Sequence, residues 1–307
     1  MIILKNKYDY HEDLKKYRNF YIPIYKILIP FFHFCLNLIY IFQRSNKKFI
    51  IEKKKIKSFD DKYIKFMVGT PKINDLNNNC IYFIHGGGFV FNGAPHHYKL
   101  AKHLAYEMKC KFVFVDYRLA PKYKFPYAPN DCFSVYKWII DNKNELNIDN
   151  VILVGDSAGG NLSVVTTLMA HDANIKLPHK LVLLYPVLTK DLVTDSMLKY
   201  TDTPMCNSKD GAKYNKLYYT SNITDERKYM APYEADIFDC FPKTYIEVAE
   251  YDCLHDDGVL FYNKLKDNGV DVDFTEVKNA MHGYDIAYGS NFVNELIEKR
   301  IKFIKHF

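Results

Sequence analysis

Short apolar runs alternate with segments of helical spacing along most of this 307-residue chain. Ile81–Ile84 and Val151–Val154 are apolar at every position, as is Leu181–Tyr185, which Pro186 stops. Runs of this length without polar alternation fit strands buried on both faces. Tyr63–Val68, Lys111–Val115, Thr244–Val248 and Val272–Val277 read as further strands. Between them His97–Met108, Ala128–Ile140, Asn161–Ala170, Leu254–Lys266 and Phe292–Ile304 read as helices. This alternation predicts an α/β fold, a mostly parallel, doubly wound sheet with helices on both faces. Right-handed crossovers place the loops that follow the strands along one edge, where sites form.

Two stretches break the rhythm. Residues from about 187 to 235 are polar and rich in tyrosine, as in Tyr214–Tyr219, and have little apolar periodicity. They read as an insertion that caps a site, not as a separately folded domain. Ile27–Phe42 is very apolar but interrupted by Pro30, His33 and Asn37. It is shorter than the roughly 18–20 residues a membrane span needs. Charged residues fill positions 5 to 18 and no small-residue cleavage site follows, so a signal peptide does not fit. A helix covering the site, or lying on a membrane surface, fits better. The expected organisation is an N-terminal apolar cap segment over residues 1–58 and a catalytic domain over 59–307 that carries the insertion.

Composition adds limits. Apolar residues make up 48% and charged residues 25%, which suits a large core and an ordinary globular surface. The net charge of +6 has its visible source in lysines such as Lys47–Lys48 and Lys53–Lys55. With no base-reading or stacking module beside them, these lysines read as solvated surface, with contact to anionic lipid as the alternative, and nucleic acid is not an expected partner. The seven cysteines are scattered and contain no C-x-x-C, so reduced thiols in a cytosolic protein are expected, not a disulfide framework or a zinc ribbon.

The chemistry concentrates in two motifs. Gly155-Asp156-Ser157-Ala158-Gly159-Gly160 lies between the Val151–Val154 run and the Asn161–Ala170 helix. A serine in a strand–turn–helix of this kind sits on a strained elbow that projects its hydroxyl from the sheet. His85-Gly86-Gly87-Gly88-Phe89 follows the Ile81–Ile84 run. Successive glycines let backbone N–H groups approach a ligand closely, as oxyanion donors must.

A serine hydroxyl needs a base, and the base a carboxylate to orient it. On this architecture the chain order is serine, acid, histidine. After Thr244–Val248 come Glu250 and Asp252, both placed for the acid, with Asp252 just past the strand end. Asp256 and Asp257 stand where carboxylates stabilise a helix N-terminus. After Val272–Val277, His282 is the one histidine before the last helix. His171 and His179 read as surface groups, His255 lies in another loop and His306 in the tail.

With these residues in view, the chain resembles the hormone-sensitive-lipase-like branch of the α/β-hydrolase fold. The resemblance rests on the two motifs above, on Tyr117-Arg118-Leu119-Ala120-Pro121, Phe125-Pro126, Ala249-Glu250-Tyr251-Asp252 and His282-Gly283, and covers roughly Tyr63 to the C-terminus. It implies Ser157 as nucleophile, Asp252 as acid and His282 as base. It implies oxyanion donors in Gly87, Gly88 and Ala158, with Gly86 adjacent, a loop-supporting His85, and Asp156 holding the elbow. Cys253 and Lys122 stand where a proline and a glutamate are common, which touches local packing and not the reacting groups. The expected activity is a serine carboxylesterase or lipase acting on small-molecule esters with short to medium acyl groups, without metal or organic cofactor. Its competitors are an amidase or arylformamidase with the same triad, a non-catalytic ligand-binding protein on the same fold, and a lipase docked on a membrane through the N-terminal apolar segment.

Overall fold

Along strand β3 (Asn79–Ile84) the side chains divide between two cores: Cys80, Tyr82 and Ile84 enter one, Ile81 and Phe83 the other. Strand β5 (Asn150–Asp156) divides likewise, Val151 and Leu153 against Ile152 and Val154. Successive side chains of a strand point to opposite faces, so a strand apolar at every position has a core on each side. The computed structural model describes residues 7–191, 193–220 and 227–306. The N-terminal segment and the insertion, expected over 1–58 and 187–235, therefore lie partly outside the described residues.

Eight strands form one sheet in the order β1-β2-β4-β3-β5-β6-β7-β8. The remaining strands are β1 (Phe49–Lys57), β2 (Tyr63–Pro71), β4 (Lys111–Asp116), β6 (Lys180–Leu184), β7 (Lys243–Tyr251) and β8 (Val272–Met281). β2 runs antiparallel to both its neighbours, and every pairing from β4 through to β8 is parallel. The parallel strands are those anticipated from the apolar runs. β1 was not anticipated. Its Lys53, Lys55 and Lys57 are exposed, as expected of a solvated surface, yet they stand on a sheet edge paired along its whole length with β2. Charged side chains on an edge strand discourage pairing with another chain. Because β1 belongs to the sheet, the sheet begins before residue 58.

Helices α3 (Tyr127–Asp141), α5 (Ala158–Asp172) and α9 (His255–Asp267) pack in one core, and α2 (Pro95–Glu107) and α10 (Asn291–Lys305) in the other. α1 (Ile29–Ile41) lies within the apolar N-terminal stretch. The short α4 (Lys143–Leu146) follows α3. The described part of the insertion forms α6 (Asp195–Lys199), α7 (Ser208–Tyr218) and α8 (Arg227–Met230). All seven cysteines are free thiols, five of them buried.

Buried charges tie these layers together. Arg118 forks between Asp131 on α3, at 2.6 and 2.8 Å, and Asp60 in the β1–β2 turn, at 2.7 and 3.0 Å, while its plane lies over the Tyr127 ring. Lys180, at the start of β6, caps the end of α10 by donating to the carbonyls of Phe303, Ile304 and His306. Arg300 on α10 is fully buried and donates to Glu247 on β7 at 2.7 Å and to both oxygens of Asp285 at 2.7 and 3.1 Å. Removing one partner of a buried pair strands the other charges without water, which typically costs about 3–5 kcal/mol. Arg300→Ala should therefore lower the denaturant midpoint of unfolding by a stability loss of that order, about 3–5 kcal/mol, with the slope unchanged. A loss below about 1 kcal/mol would mean that Glu247 and Asp285 are reached by solvent or by another cation.

Candidate active site

Ser157 follows the last residue of β5 and precedes α5, with φ 53° and ψ −119°. This sparsely populated backbone conformation is held because everything around it is packed. A Cβ on Gly159 would lie 2.0 Å from the Ile84 carbonyl oxygen, so only glycine lets α5 start this close to β3. Ser157 N–H donates to the Leu184 carbonyl at 2.8 Å, fixing the turn against the end of β6.

β7 ends at Tyr251, and Asp252 follows with no exposed surface. β8 ends at Met281, and His282 follows. Three loops after three parallel strands thus bring the sequence-predicted residues together. Ser157 Oγ lies 2.9 Å from His282 Nε2, and His282 Nδ1 lies 2.7 Å from Asp252 Oδ2. Asp252 Oδ1 accepts the Leu254 N–H at 2.9 Å, which orients the carboxylate. Glu250, the other carboxylate considered for this place, points elsewhere and accepts the Asn279 N–H at 2.9 Å. Burial works against charge on His282, but the Asp252 carboxylate outweighs it and pushes the imidazole up to about 9.

The glycine loop lies beside the serine. Gly87 and Gly88 have φ of 114° and 61°, which glycine adopts without strain. The Gly87 carbonyl accepts the N–H groups of Val90 and Phe91, folding the loop on itself. Gly86, expected beside the oxyanion donors, has another partner. Its N–H is taken by Asp156 Oδ1 at 3.0 Å, so it anchors the loop. Asp156 does more than hold the elbow: its other oxygen meets His97 Nε2 on α2 at 3.0 Å. Burial opposes its ionisation, yet His97 and the Gly86 amide outweigh that and hold the carboxyl down at about 2. His85 lies against the loop. Its Nδ1 meets the Gly86 carbonyl at 2.7 Å, its ring stacks on Tyr117 at 4.4 Å, and burial drives its pKa down to about 3.

Several residues near the site carry no sequence signal of their own. His97 lies in the first turn of α2 with nothing to mark it from other helical histidines. Tyr185 packs edge-on against the His282 ring at 5.0 Å and donates to Asp285 at 2.8 Å, so the Arg300 network reaches the base loop. Asp256 and Asp257 do lie in the first turn of α9, as expected, and also hold the insertion. Asp256 accepts the Ser196 N–H, and Asp257 accepts the Leu188 and Thr189 N–H groups and the Thr189 hydroxyl. From the insertion, Tyr218 stacks on Phe89 at 4.0 Å, and the Tyr214 ring lies where a side chain on Gly88 would go. Cys253, in place of a proline, is buried and packs in a small cluster with Cys206 of the insertion. Among the described residues no group of three or more His, Cys, Asp or Glu is placed to hold a metal ion.

A serine on a strand–helix elbow, with a carboxylate-backed histidine on later strand ends and a glycine loop alongside, is the arrangement of a serine-dependent α/β-hydrolase. Comparison with known proteins gives the same fold and family. The family model described as alpha/beta hydrolase fold matches residues 81–286. The chain is 32% identical over 215 residues to an arylesterase of Saccharolobus solfataricus, covering 69% of this chain and 70% of the relative. It is 31% identical over 220 residues to carboxylesterase NlhH of Mycobacterium tuberculosis, covering 70% and 68%. A solved esterase of Pyrobaculum calidifontis superposes with a TM-score of 0.80 at 29% identity over 91% of this chain and 92% of that one. The chain belongs to the α/β-hydrolase esterase and lipase family.

The raised pKa of His282 can be read directly. Its ring C–H resonances should titrate well above the ordinary 6.5, toward about 9. The charged His282–Asp252 pair then stabilises the fold fully below about 6.5, and that contribution is lost as pH rises through the folded value. Asp252→Asn should bring the titration down, toward or below 6.5. An unchanged midpoint in that variant would refute the carboxylate as its cause.

Proposed function

We propose that this protein is a carboxylic ester hydrolase that works through a Ser157–His282–Asp252 triad. The observation that carries this reading is the continuous line of hydrogen bonds from Ser157 Oγ through His282 to Asp252, at 2.9 and 2.7 Å, on a strained elbow beside the glycine loop.

The ester carbonyl carbon is attacked by Ser157 Oγ as its proton passes to His282 Nε2. The neutral imidazole is the acting form, with its proton on Nδ1 donated to Asp252. The imidazolium that forms is stabilised by the buried carboxylate. Negative charge gathers on the former carbonyl oxygen, where the backbone N–H groups of Gly87, Gly88 and Ala158 receive it. One such donor is typically worth about 10²–10³ in rate. Gly86, committed to Asp156, keeps the loop in position for this. His282 returns its proton to the leaving alcohol, and water then attacks the acyl-serine by the same route in reverse. None of these steps calls on a metal or an organic cofactor.

The insertion and the N-terminal segment form the cap over this site. Tyr214 and Tyr218 lie on the glycine loop, and the methyl of Met205 comes within 3.2 Å of the position of a Gly283 side chain. An aromatic enclosure of this kind favours apolar acyl groups, and the family resemblance implies short to medium length.

The test is hydrolysis of p-nitrophenyl esters across acyl lengths, with wild type beside Ser157→Ala. Wild type should turn over, and the variant should lose about 10³-fold or more in kcat. Because His282 must be neutral to accept the proton, kcat/KM should rise about tenfold per pH unit up to the His282 pKa and level off above it. Turnover of aryl formamides with silence on esters would move the substrate class to amides, and silence on both would overturn a catalytic role.

A further inference from the structure

The N-terminal segment leaves an unusual surface. Tyr25 is 64% exposed, Ile27 86%, Phe31 62% and Phe42 64%, and Phe20, Phe34 and Ile41 are exposed as well. On α1, Phe31, Phe34 and Ile41 are three and then seven residues apart, a spacing that sets side chains on one helix face, and Ile27 lies in the turn just before it. The opposite side is tied down: Ile29 and Tyr40 are buried, Phe32 packs edge-on against Phe91, and His33 Nε2 meets the Val90 carbonyl at 2.5 Å. The stripe is therefore held rigidly outward. Soluble monomers rarely leave a contiguous apolar patch of this kind without a partner.

Charge says which partner. Between Asp13 and Glu52 the chain has no acidic residue, while Lys15, Lys16, Arg18, Lys26, Arg44, Lys47 and Lys48 are all basic. Cations gather at the C-terminal end of α1, beside the exposed Ile41 and Phe42. The Arg44 guanidinium lies 5.8 Å over the Phe42 ring, Lys53 donates to the Ile41 carbonyl at 2.6 Å, and Lys102 to Gln43 at 2.7 Å. Lys26 is exposed at the other end. The flanking acidic side chains along the chain are Asp13, which accepts the Phe292 N–H, and Glu52, which is paired with Lys54. A second copy brought against the same face would set cation against cation. An anionic bilayer offers apolar depth for the phenylalanines and negative headgroups for the lysines and arginines.

We propose that the exposed face of residues 20–44 docks on an anionic lipid surface. It lies on the surface and does not span. α1 has 13 residues, about 20 Å of helix against the roughly 30 Å of a hydrocarbon core. No helix among the described residues is long and apolar enough to cross a membrane. The docked face borders the site. At one end the Phe20 carbonyl accepts the N–H of Met205, which reaches toward Gly283 next to His282. At the other, His33 holds the glycine loop at Val90. Docking thus turns the site's surroundings toward lipid.

Flotation of the full chain with vesicles tests this independently of the chemistry, since Ser157→Ala should bind as wild type does. Vesicles of phosphatidylcholine with about one third phosphatidylserine should carry the protein, and raising salt from about 0.1 to 0.5 M should release it. The combined variant Ile27→Ser, Phe31→Ser, Phe42→Ser should lose about tenfold or more in partitioning. It should keep wild-type melting, since all three side chains are exposed. A second variant, Lys26→Glu with Arg44→Glu, should lose anionic selectivity and guards against a folding defect in the first. Equal binding to purely neutral vesicles, or no effect of either variant, overturns the proposal. So does a wild-type dimer in sedimentation that the first variant splits while vesicles stay empty.

Discussion

The Asp156 carboxylate is the joint on which the site turns. It ends β5, one residue before the strained serine, and it reaches across to the next strand's loop to hold the Gly86 N–H and to His97 on α2. A buried carboxylate is tolerable only when it is paired and hydrogen-bonded, and here its partners sit on two other elements. The same charge therefore fixes the relation between serine and glycine loop and locks α2 beneath them. A loop carrying three glycines would otherwise be among the least ordered parts of the chain, because glycine loses the most freedom on folding.

A second buried cluster does the corresponding work for the histidine. Arg300, from the last helix, holds Glu247 on β7 and Asp285 three residues past His282, and Tyr185 links Asp285 to the face of the imidazole. The strand that leads to Asp252 and the loop that carries His282 are thereby tied to one cation. Such networks rarely add much net stability compared with a packed apolar core. What this one supplies is position, in a site where a displacement of about 1 Å can cost about 10²-fold in rate.

Legibility in the sequence followed burial. Strands enclosed on both sides, β3, β5 and β6, are apolar throughout and stood out. β1 did not, because one edge of it faces solvent and its lysines mask the pairing with β2. The helices α6, α7 and α8 were hidden for a related reason: most of the insertion is polar, and it is held by a few inward residues such as Tyr214, Leu217 and Tyr218 and by Asp256 and Asp257. Ser157, Asp252 and His282 were readable because each follows a legible strand. Gly86 looked like its neighbours, and only the position of Asp156 reveals that its amide is already engaged.

By itself, then, the chain's pattern determined the layered parallel sheet, the order of the loops along its edge and the residues those loops present. These are local properties, set by apolar periodicity and by turns that few residues can make. Tertiary structure decided which carboxylate faces His282, which glycine amide is spent on anchoring, where the insertion rests, and that Phe31 and Phe34 of α1 point outward while Phe32 packs inward. Each of those depends on groups far apart in sequence meeting in space, and no local pattern records which of several equivalent residues will arrive.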